Sequence, residues 1–425
     1  MEYPPQPFHQ HGFILPQRRA IAKPSFFAAL VLGLTFNASL VSVMGSKLGF
    51  FSSSVGNALA AGSLLFLILL TWFRRQQVSF KSLPTAFKTS ILILCVVTCL
   101  LGLYAVASPS VDRALKTSVV LKTGGTVISL VALTMAARMF TFAEVSRGLL
   151  IFSIVELVGC ILIFRANTDV NENAIAVRAT VACMCLYTLL PNKILGFAAV
   201  GGCLAFSVSL GCRTSAMALL GAIGSLEVEK RTRNKRGVVV IASIIGFSFL
   251  VLFIPWLVVG LKSLATASLG SDNPIAQFFL HDKSADKISY DFFDRFDVWS
   301  YSWEHIREKP VLGYGIGTEH AIMQVRSHNA YLSLMFEGGI VLLVSWLWFY
   351  SRATSGLFNP KWIAKVGESS LFRLSLLLIV YMSLAGMVES SGLSSVSTPI
   401  NLIFIFLSVW LFQPKKEHDN KRFTG

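Results

Sequence analysis

Residues 291–339 read DFFDRFDVWSYSWEHIREKPVLGYGIGTEHAIMQVRSHNAYLSLMFEGG, and they close the longest polar stretch of an otherwise apolar chain. Apolar side chains recur here at steps of three and four, which is the period of an amphipathic helix: Phe292, Phe296, Trp299, Trp303 and Ile306. We expect this helix, with Arg295 near its start, to lie on an apolar surface. Pro310 should end it, because proline cannot continue the hydrogen-bond ladder. Glycines then permit a turn with little steric restriction: Gly313, Gly315 and Gly317.

Two polar residues, His328 and Asn329, stand directly before the next apolar run. Histidine has an ordinary pKa of about 6.5, so it can take up and release a proton near neutral pH. A lone histidine at this kind of boundary can equally be an ordinary polar residue. Together with Arg295, His328 offers a fixed cation and a titratable base on one side of the apolar runs.

The composition is that of a membrane protein. Of 425 residues, 54% are hydrophobic and 14% are charged, and the mean hydropathy is +0.65. These values lie far from those of a soluble globular domain. The seven cysteines fall in or beside apolar runs, without the spacing of a disulfide framework or a zinc site.

A bilayer core requires about 20 apolar residues in a helix. Twelve segments meet this requirement: 25–45, 53–73, 89–107, 117–137, 148–165, 174–190, 193–211, 213–227, 238–259, 329–350, 372–390 and 395–412. The sequence therefore predicts an all-α polytopic membrane protein with twelve transmembrane helices and one large loop that contains an amphipathic helix.

Basic residues orient these predicted spans. Lysine and arginine gather in the connections at 74–88, 230–236 and 352–365 and in the tail after 415, which all fall on one side. Cytoplasmic loops carry such an excess, so both termini should be cytoplasmic. The net charge of +15 is thereby explained without a nucleic-acid-binding surface, and we expect no nucleic acid as a partner.

The predicted organisation has five parts: a cytoplasmic tail at 1–24, nine transmembrane helices in 25–259, an acidic outer loop at 260–327, three transmembrane helices in 328–412 and a cytoplasmic tail at 413–425.

Charged residues within the spans are candidates for function, because one such charge costs about 2.5 to 3.5 kcal/mol at a helix centre. Three cations qualify: Arg213, Arg178 and Lys122. Arg213 is the clearest, since it lies in the very short connection GCRTSAM on the outer face, although an arginine there can also simply mark the end of a span. Carboxylates in the spans are expected to pair with such cations or to be neutral: Glu156, Glu337 and Glu389.

A metal site is not expected. Asp291, Asp294 and Asp297 share one face of the predicted helix and could hold a divalent ion, but the same spacing is typical of a solvated helix face. The histidines of the loop do not have a metal-ligand spacing.

The residues from Arg295 through Pro310 and GYGIG to His328-Asn329 and Gly339 resemble the signature of the O-antigen ligase and polysaccharide polymerase family. Arg213, in its RTS context, resembles that family's arginine at the membrane edge. Such proteins lie in the bacterial inner membrane and have one large periplasmic loop. The resemblance therefore implies that the loop at 260–327 is periplasmic.

The resemblance also implies an activity, transfer of a glycan from undecaprenyl pyrophosphate to an acceptor sugar hydroxyl, without a cofactor. It implies His328 as the catalytic base, Arg213 and Arg295 as ligands of the pyrophosphate, and Asn329 as a partner of the imidazole or the glycan. Arg178 and Lys122 are further candidate substrate contacts. The implied partners are the lipid-linked glycan, an acceptor glycan, the lipid bilayer and other polysaccharide assembly and export proteins. Aromatic residues could offer flat faces to sugar rings: Trp299, Tyr301, Trp303 and Tyr314.

Alternatives to this activity stay open. Ligases of the family tend to have a small or polar residue three positions after the glycine, where this chain has Leu342. This departure favours a polymerase of exopolysaccharide or O-antigen repeats over a ligase that transfers glycan to lipid A core. A flippase for lipid-linked oligosaccharides is a different class of protein with similar hydropathy, and a structural subunit of an export complex is a third.

Overall fold

The computed structural model describes residues 25–37, 62–69, 83–108, 113–137, 139–166, 172–210, 212–231, 285–324, 327–355, 369–386 and 399–411, with single positions at 40, 242 and 246. Across these ranges the chain forms helices and no strand. The helices are α1 Phe26–Phe36, α2 Thr85–Ala107, α3 Arg113–Ala136, α4 Phe142–Arg165, α5 Glu172–Leu189, α6 Lys193–Ser209, α7 Arg213–Arg231, α8 Ala285–Glu308, α9 Glu319–Met323, α10 Ala330–Ser355, α11 Ser370–Ala385 and α12 Pro399–Leu411. Residues 62–69 are also helical.

The all-helical prediction is confirmed for the described residues. Among them, four helices are long and apolar enough to cross a membrane: α2, Leu115–Ala136 of α3, α4 and α10. Helices α2 to α7 and α10 to α12 coincide in position with predicted spans. Nearly all of the span predicted at 238–259 and parts of those at 25–45 and 53–73 lie outside the described residues, as do both tails. The count of twelve spans and the sidedness of the loop therefore stay predictions.

Helix α4 begins six residues earlier than its predicted span, because its start is capped by polar groups. The Thr141 hydroxyl accepts from the Glu144 N–H, and the Glu144 carboxylate accepts from the Thr141 N–H, which together form a capping box. The same carboxylate accepts from the Ser25 N–H at 3.1 Å. This contact holds the starts of α1 and α4 together.

Small residues let α1 and α4 approach closely. A Cβ added to Gly33 would lie 2.7 Å from the Gly148 carbonyl oxygen, and one added to Gly148 would lie 3.0 Å from the Ala29 carbonyl oxygen. Such close backbone contact is how helices commonly pack in membranes, where burial in lipid gives no hydrophobic preference for protein neighbours.

Helices α11 and α12 form the centre of the bundle. Every residue of α11 from 374 to 385 is buried, and α12 is buried from 399 to 409. Helix α11 packs against α5, α7 and α12, and α12 also contacts α3 and α10. A helix that is apolar on all sides is typical of such an interior position.

Hydrogen bonds join several helix ends at one end of the bundle. The Ala330 N–H at the start of α10 donates to the carbonyl of Gly386, which follows α11, at 2.8 Å. The Ser215 hydroxyl in the first turn of α7 lies 3.0 Å from the Tyr381 hydroxyl, in the last turns of α11. The Cys212 thiol, just before α7, donates to the side-chain oxygen of Asn173 in α5 at 2.8 Å. We call this end, which carries residues 309–324 and 327–329, the loop end.

Candidate functional site

Helix α8 leads into the loop end and stops where the sequence predicted. Its last residue is Glu308, directly before Lys309 and Pro310. The helix begins at Ala285, so Arg295 lies in its middle and not near its start as predicted. The side chains of residues 285–296, including Phe292, Phe296, Asp291, Asp294 and Arg295, lie outside the described part of the structure.

The described part of the predicted apolar face of α8 comprises Trp299, Trp303 and Ile306. Ile306 is buried, Trp299 is half-buried and Trp303 is 42% exposed. A small polar residue, Ser302, takes a buried place beside Ile306. The Ser302 hydroxyl donates to the Val298 carbonyl at 2.6 Å, so its burial leaves no polar group unsatisfied.

Tyr314 does not present an open face for a sugar. Its ring stacks on Phe336 with centroids 4.9 Å apart, and the Lys309 ammonium nitrogen lies 4.4 Å from its centroid. Its hydroxyl donates to Glu308. Among the aromatic side chains of α8 from residue 297 onward, Tyr301 and Trp303 are exposed, by 43% and 42%.

The glycine-rich loop after α8 fills a break in α10. The backbone of α10 is non-helical at Gly339, with φ 61° and ψ −163°. This break frees carbonyl groups, and the loop satisfies them: the Tyr314 N–H donates to the Phe336 carbonyl at 2.9 Å and the Gly315 N–H to the Glu337 carbonyl at 2.8 Å. In return, the Ile340 N–H donates to the Pro310 carbonyl at 2.9 Å.

Glycine is required at the point where loop and helix meet. A Cβ on Gly339 would lie 2.2 Å from the carbonyl carbon and oxygen of Val311. The φ and ψ angles of Gly339 also fall in a region that is open essentially only to glycine. The spacing from GYGIG to Gly339 in the sequence therefore reflects one interlocked unit.

His328 lies in the short turn between α9 and α10 and has a left-handed backbone, with φ 49°. Only one other described residue besides glycine has a positive φ, Gln324. The His328 side chain is half-buried. Because a left-handed residue with a side chain is strained by about 1 to 2 kcal/mol, its surroundings must hold it.

Asn329 caps helix α10. Its side-chain oxygen accepts from the N–H groups of Tyr331 at 3.0 Å and Leu332 at 3.1 Å. This is the usual bonding of an asparagine at the first position before a helix. The cap places His328 directly outside the positive end of the α10 backbone dipole.

Three residues that sequence reasoning did not select support this turn: Glu319, Ser327 and Ser333. The Ser327 carbonyl accepts from the Trp299 indole N–H at 2.6 Å, which ties the turn to α8. The Ser327 N–H donates to the Glu319 carboxylate at 2.9 Å. In the sequence, a polar residue stands on either side of His328, but serine is too common in loops for this pattern to identify the residues that support the turn.

Lys122 of α3 lies against the loop. Its ammonium nitrogen is 3.4 Å from the Gly317 carbonyl oxygen, and its stem occupies the space that a Cβ on Gly317 would need. The Lys122 side chain is exposed. The structure therefore brings one predicted cation of the spans to the loop end.

Arg178 is paired with a carboxylate. Its Nε lies 2.7 Å from Glu156 Oε1, and the two side chains are 15% and 0% exposed. The sequence predicted that buried carboxylates would pair with such cations, and for Glu156 this is confirmed. Whether Arg178 also contacts a substrate stays a prediction.

Arg213 is the first residue of α7, and its side chain lies outside the described part of the structure. The neighbouring bonds of Cys212 and Ser215 fix its backbone at the loop end. Tyr381, the partner of Ser215, precedes by five residues the Gly386 carbonyl that receives the Ala330 N–H. The start of α7 and the turn with His328 are thus joined through the last turns of α11.

Residues 195–347 match a family model described as O-antigen ligase, and the match includes Arg213, Arg295, His328 and Gly339. A comparison with curated proteins finds no match. Members of the matched family are membrane proteins of the glycosyltransferase type, either ligases or polymerases. Residues 195–347 therefore carry a match to the O-antigen ligase family, which supports the O-antigen ligase and polymerase-like family that the resemblance in the sequence predicted.

Proposed function

We propose that this protein transfers a glycan from undecaprenyl pyrophosphate to the hydroxyl of an acceptor sugar, at the periplasmic face of the bacterial inner membrane. The observation that carries the proposal is the held, left-handed turn at His328, which lies at the same end of the bundle as Lys122 and the start of α7. A half-buried imidazole at the same end of the bundle as Lys122 and the start of α7 suits a reaction in which a hydroxyl loses a proton and a polyanion departs.

In this reaction His328 acts as the general base. The acceptor oxygen forms a bond to the anomeric carbon while its proton passes to the imidazole. The bond from that carbon to the phosphate oxygen breaks, and the electron pair leaves with undecaprenyl pyrophosphate. A positioned base typically accelerates such a step by about 10² to 10⁴.

The departing pyrophosphate requires fixed positive charge. Arginine stays protonated and can bind two phosphate oxygens at once, so we assign the pyrophosphate to Arg213 and Arg295. The start of α7 adds the partial positive charge of a helix N-terminus next to Arg213. Positive charge that is already in place where the leaving group develops its negative charge usually contributes a large part of the rate enhancement.

Lys122, Arg178 and Asn329 are proposed as further substrate contacts. Lys122 is best supported, because its side chain is exposed beside Gly317. Arg178 already neutralises Glu156, so it would contribute less charge to a phosphate. Asn329 uses its oxygen to cap α10, and we propose that its amide group contacts the imidazole or the glycan.

We propose a polymerase of exopolysaccharide or O-antigen repeats as the specific activity, without a cofactor or metal. Leu342, the residue behind this preference, is buried in α10, three residues after the break at Gly339. Transfer of the glycan to lipid A core is the alternative within the same chemistry. The partners would be the lipid-linked glycan, the acceptor glycan and other polysaccharide assembly and export proteins.

The test is transfer by the purified protein in vesicles that contain lipid-linked repeat units. A ladder of lengthening lipid-linked chains supports the polymerase, and a single transfer to added lipid A core supports the ligase. Translocation of the donor without transfer would overturn the proposal in favour of a flippase.

Arg213→Ala should lower the rate by about 10² to 10³, the usual cost of losing one group that stabilises developing charge. Arg165→Ala is the matched control, because Arg165 is an exposed arginine that ends α4. Its rate should stay close to that of the unmodified protein. Equal rates for both variants would remove Arg213 from the site.

A further inference from the structure

Glu319 is a buried carboxylate in the loop that links α8 to α10. It is 6% exposed and opens the short helix α9. Its oxygens accept from the Ser327 N–H at 2.9 Å and from the Ser333 hydroxyl at 3.0 and 2.8 Å. One side chain thus connects the start of α9, the turn before α10 and the first turns of α10.

Hydrogen bonds hold Ser327, the residue directly before His328. Ser327 donates its N–H to Glu319 and accepts the Trp299 indole N–H on its carbonyl. Its hydroxyl lies 3.0 Å from both the Asn329 carbonyl oxygen and the Ser333 hydroxyl. Every polar group of Ser327 therefore has a partner within the protein.

Asn329, the residue directly after His328, is held as well. The Asn329 side chain caps α10, and the main-chain carbonyl of Asn329 accepts from the Ser333 N–H at 2.9 Å. His328 is consequently fixed by its two neighbours, and both of them connect to Ser333. Since Ser333 donates its hydroxyl to Glu319, the carboxylate is the common acceptor for the two arms of the turn.

A strained backbone persists only when its surroundings over-determine it. The left-handed φ of His328 would relax to a more ordinary value if Ser327 were free to move. A relaxed turn would redirect the imidazole, and a displacement of about 1 Å in a catalytic group can cost about 10²-fold in rate.

We infer that Glu319 is a positioning residue for His328: it fixes, through Ser327 and Ser333, the turn from which the imidazole meets the acceptor hydroxyl. This inference rests on the proposed function of His328 as the base. It assigns no proton transfer to Glu319, which acts only by holding the backbone on both sides of the histidine.

Packing alone does not account for a carboxylate here. Burial of a charged group is unfavourable unless its hydrogen bonds replace those with water, and an apolar side chain of similar size often serves stability as well or better. The donors that Glu319 satisfies all belong to the turn and to the first turns of α10. The buried carboxylate therefore serves the conformation of this turn.

The Glu319→Gln variant tests whether Glu319 acts through its hydrogen bonds or through its negative charge. The oxygen of a glutamine can accept the Ser327 N–H, and its amide nitrogen can donate to a lone pair of the Ser333 hydroxyl oxygen. Glu319→Gln should therefore keep the turn in place. Glu319→Ala removes both connections.

The experiment measures kcat and the KM for the lipid-linked donor in Glu319→Ala, Glu319→Gln, Ser333→Ala and His328→Ala. We expect kcat of Glu319→Ala to fall about 10- to 100-fold with the KM within about twofold, since the imidazole is misplaced and the donor site is not. Glu319→Gln should recover most of the loss. Ser333→Ala, which breaks one arm and keeps the carboxylate, should lower kcat about 2- to 10-fold even if Glu319→Ala does not fold.

Glu304→Ala is the control, because Glu304 is an exposed carboxylate on α8, and its kinetics should not change. A Glu319→Gln variant as slow as Glu319→Ala would overturn the positioning role, and so would wild-type kcat in Ser333→Ala. If His328→Ala keeps wild-type turnover, the proposed function itself is wrong. If His328→Ala is inactive while Glu319→Ala is fully active, only the positioning role is wrong.

Discussion

Arg178 Nε and Glu156 Oε1 lie 2.7 Å apart, and Glu156 is completely buried. The pair joins α4 to α5, two helices that also pack along their length. Removal of one member leaves the other charge buried without compensation, which typically costs about 3 to 5 kcal/mol.

Arg178→Ala should therefore lower the thermal unfolding temperature clearly. The double variant Glu156→Ala/Arg178→Ala should unfold at a higher temperature than the single one, because no isolated charge remains. Both are measured as melting curves of the detergent-purified protein. A double variant less stable than Arg178→Ala would show that the two side chains do not depend on each other.

The break in α10 gives a second prediction. Gly339→Ala forces a Cβ into the Val311 backbone and a side chain into backbone angles that cost about 1 to 3 kcal/mol by themselves. We expect loss of folded protein and of transfer together. The measurement is the yield of monodisperse protein with its unfolding temperature.

Gly201→Ala in α6 is the matched control, since a Cβ there meets nothing within 4 Å. Alanine is favoured over glycine inside a helix by about 1 kcal/mol. This variant should be as stable as the unmodified protein or more so. Similar behaviour of the two variants would contradict the interlocked arrangement of loop and helix.

His328 gives the third prediction. His328→Ala should lower the transfer rate by about 10² to 10⁴, because the base is absent. The protein should still insert and fold, because the rest of the structure is unchanged. His305→Ala is its control: His305 lies on α8 against Tyr301, with ring centroids 4.4 Å apart, and has no proposed part in the reaction. Transfer rates of the two purified variants are compared, and equal rates would dismiss His328 as the base.

Asn329 gives the fourth prediction, which separates its cap from a substrate contact. Asn329→Ser keeps an oxygen that can cap α10, whereas Asn329→Ala loses about 1 kcal/mol of stability with the cap. If the amide group also contacts the imidazole or the glycan, Asn329→Ser should be stable but slow. Melting curves and transfer rates of both variants decide this, and a fast, stable Asn329→Ser would limit Asn329 to its cap.

The sequence was most informative where local chemistry decides the structure. Pro310 predicted the end of α8, because no tertiary contact can restore the hydrogen bond that proline lacks. The apolar runs predicted where helices lie, although capping by Thr141 and Glu144 moved the start of α4. Trp303 is 42% exposed, and periodicity alone cannot tell whether such a residue packs on the core or lies on its outer side.

The support of the site depends on contacts between distant residues. Lys122 and Gly317 are 195 residues apart, and nothing local indicates that they meet. Glu319 and Ser333 meet only because the loop reverses between α9 and α10. The break at Gly339 was hidden for the same reason, because its freed carbonyl groups are satisfied by a loop more than 20 residues earlier in the chain.

We propose that the lipid pyrophosphate and the acceptor meet at the loop end, between the start of α7 and His328. Photocrosslinking tests it most directly, with a lipid-linked donor that carries a photoreactive group on the sugar next to the pyrophosphate. Peptide mapping should find the label on the segment that begins at Arg213 and on the turn at 327–329. Label confined to the opposite end of the bundle, near Arg231 and Arg352, would contradict the account.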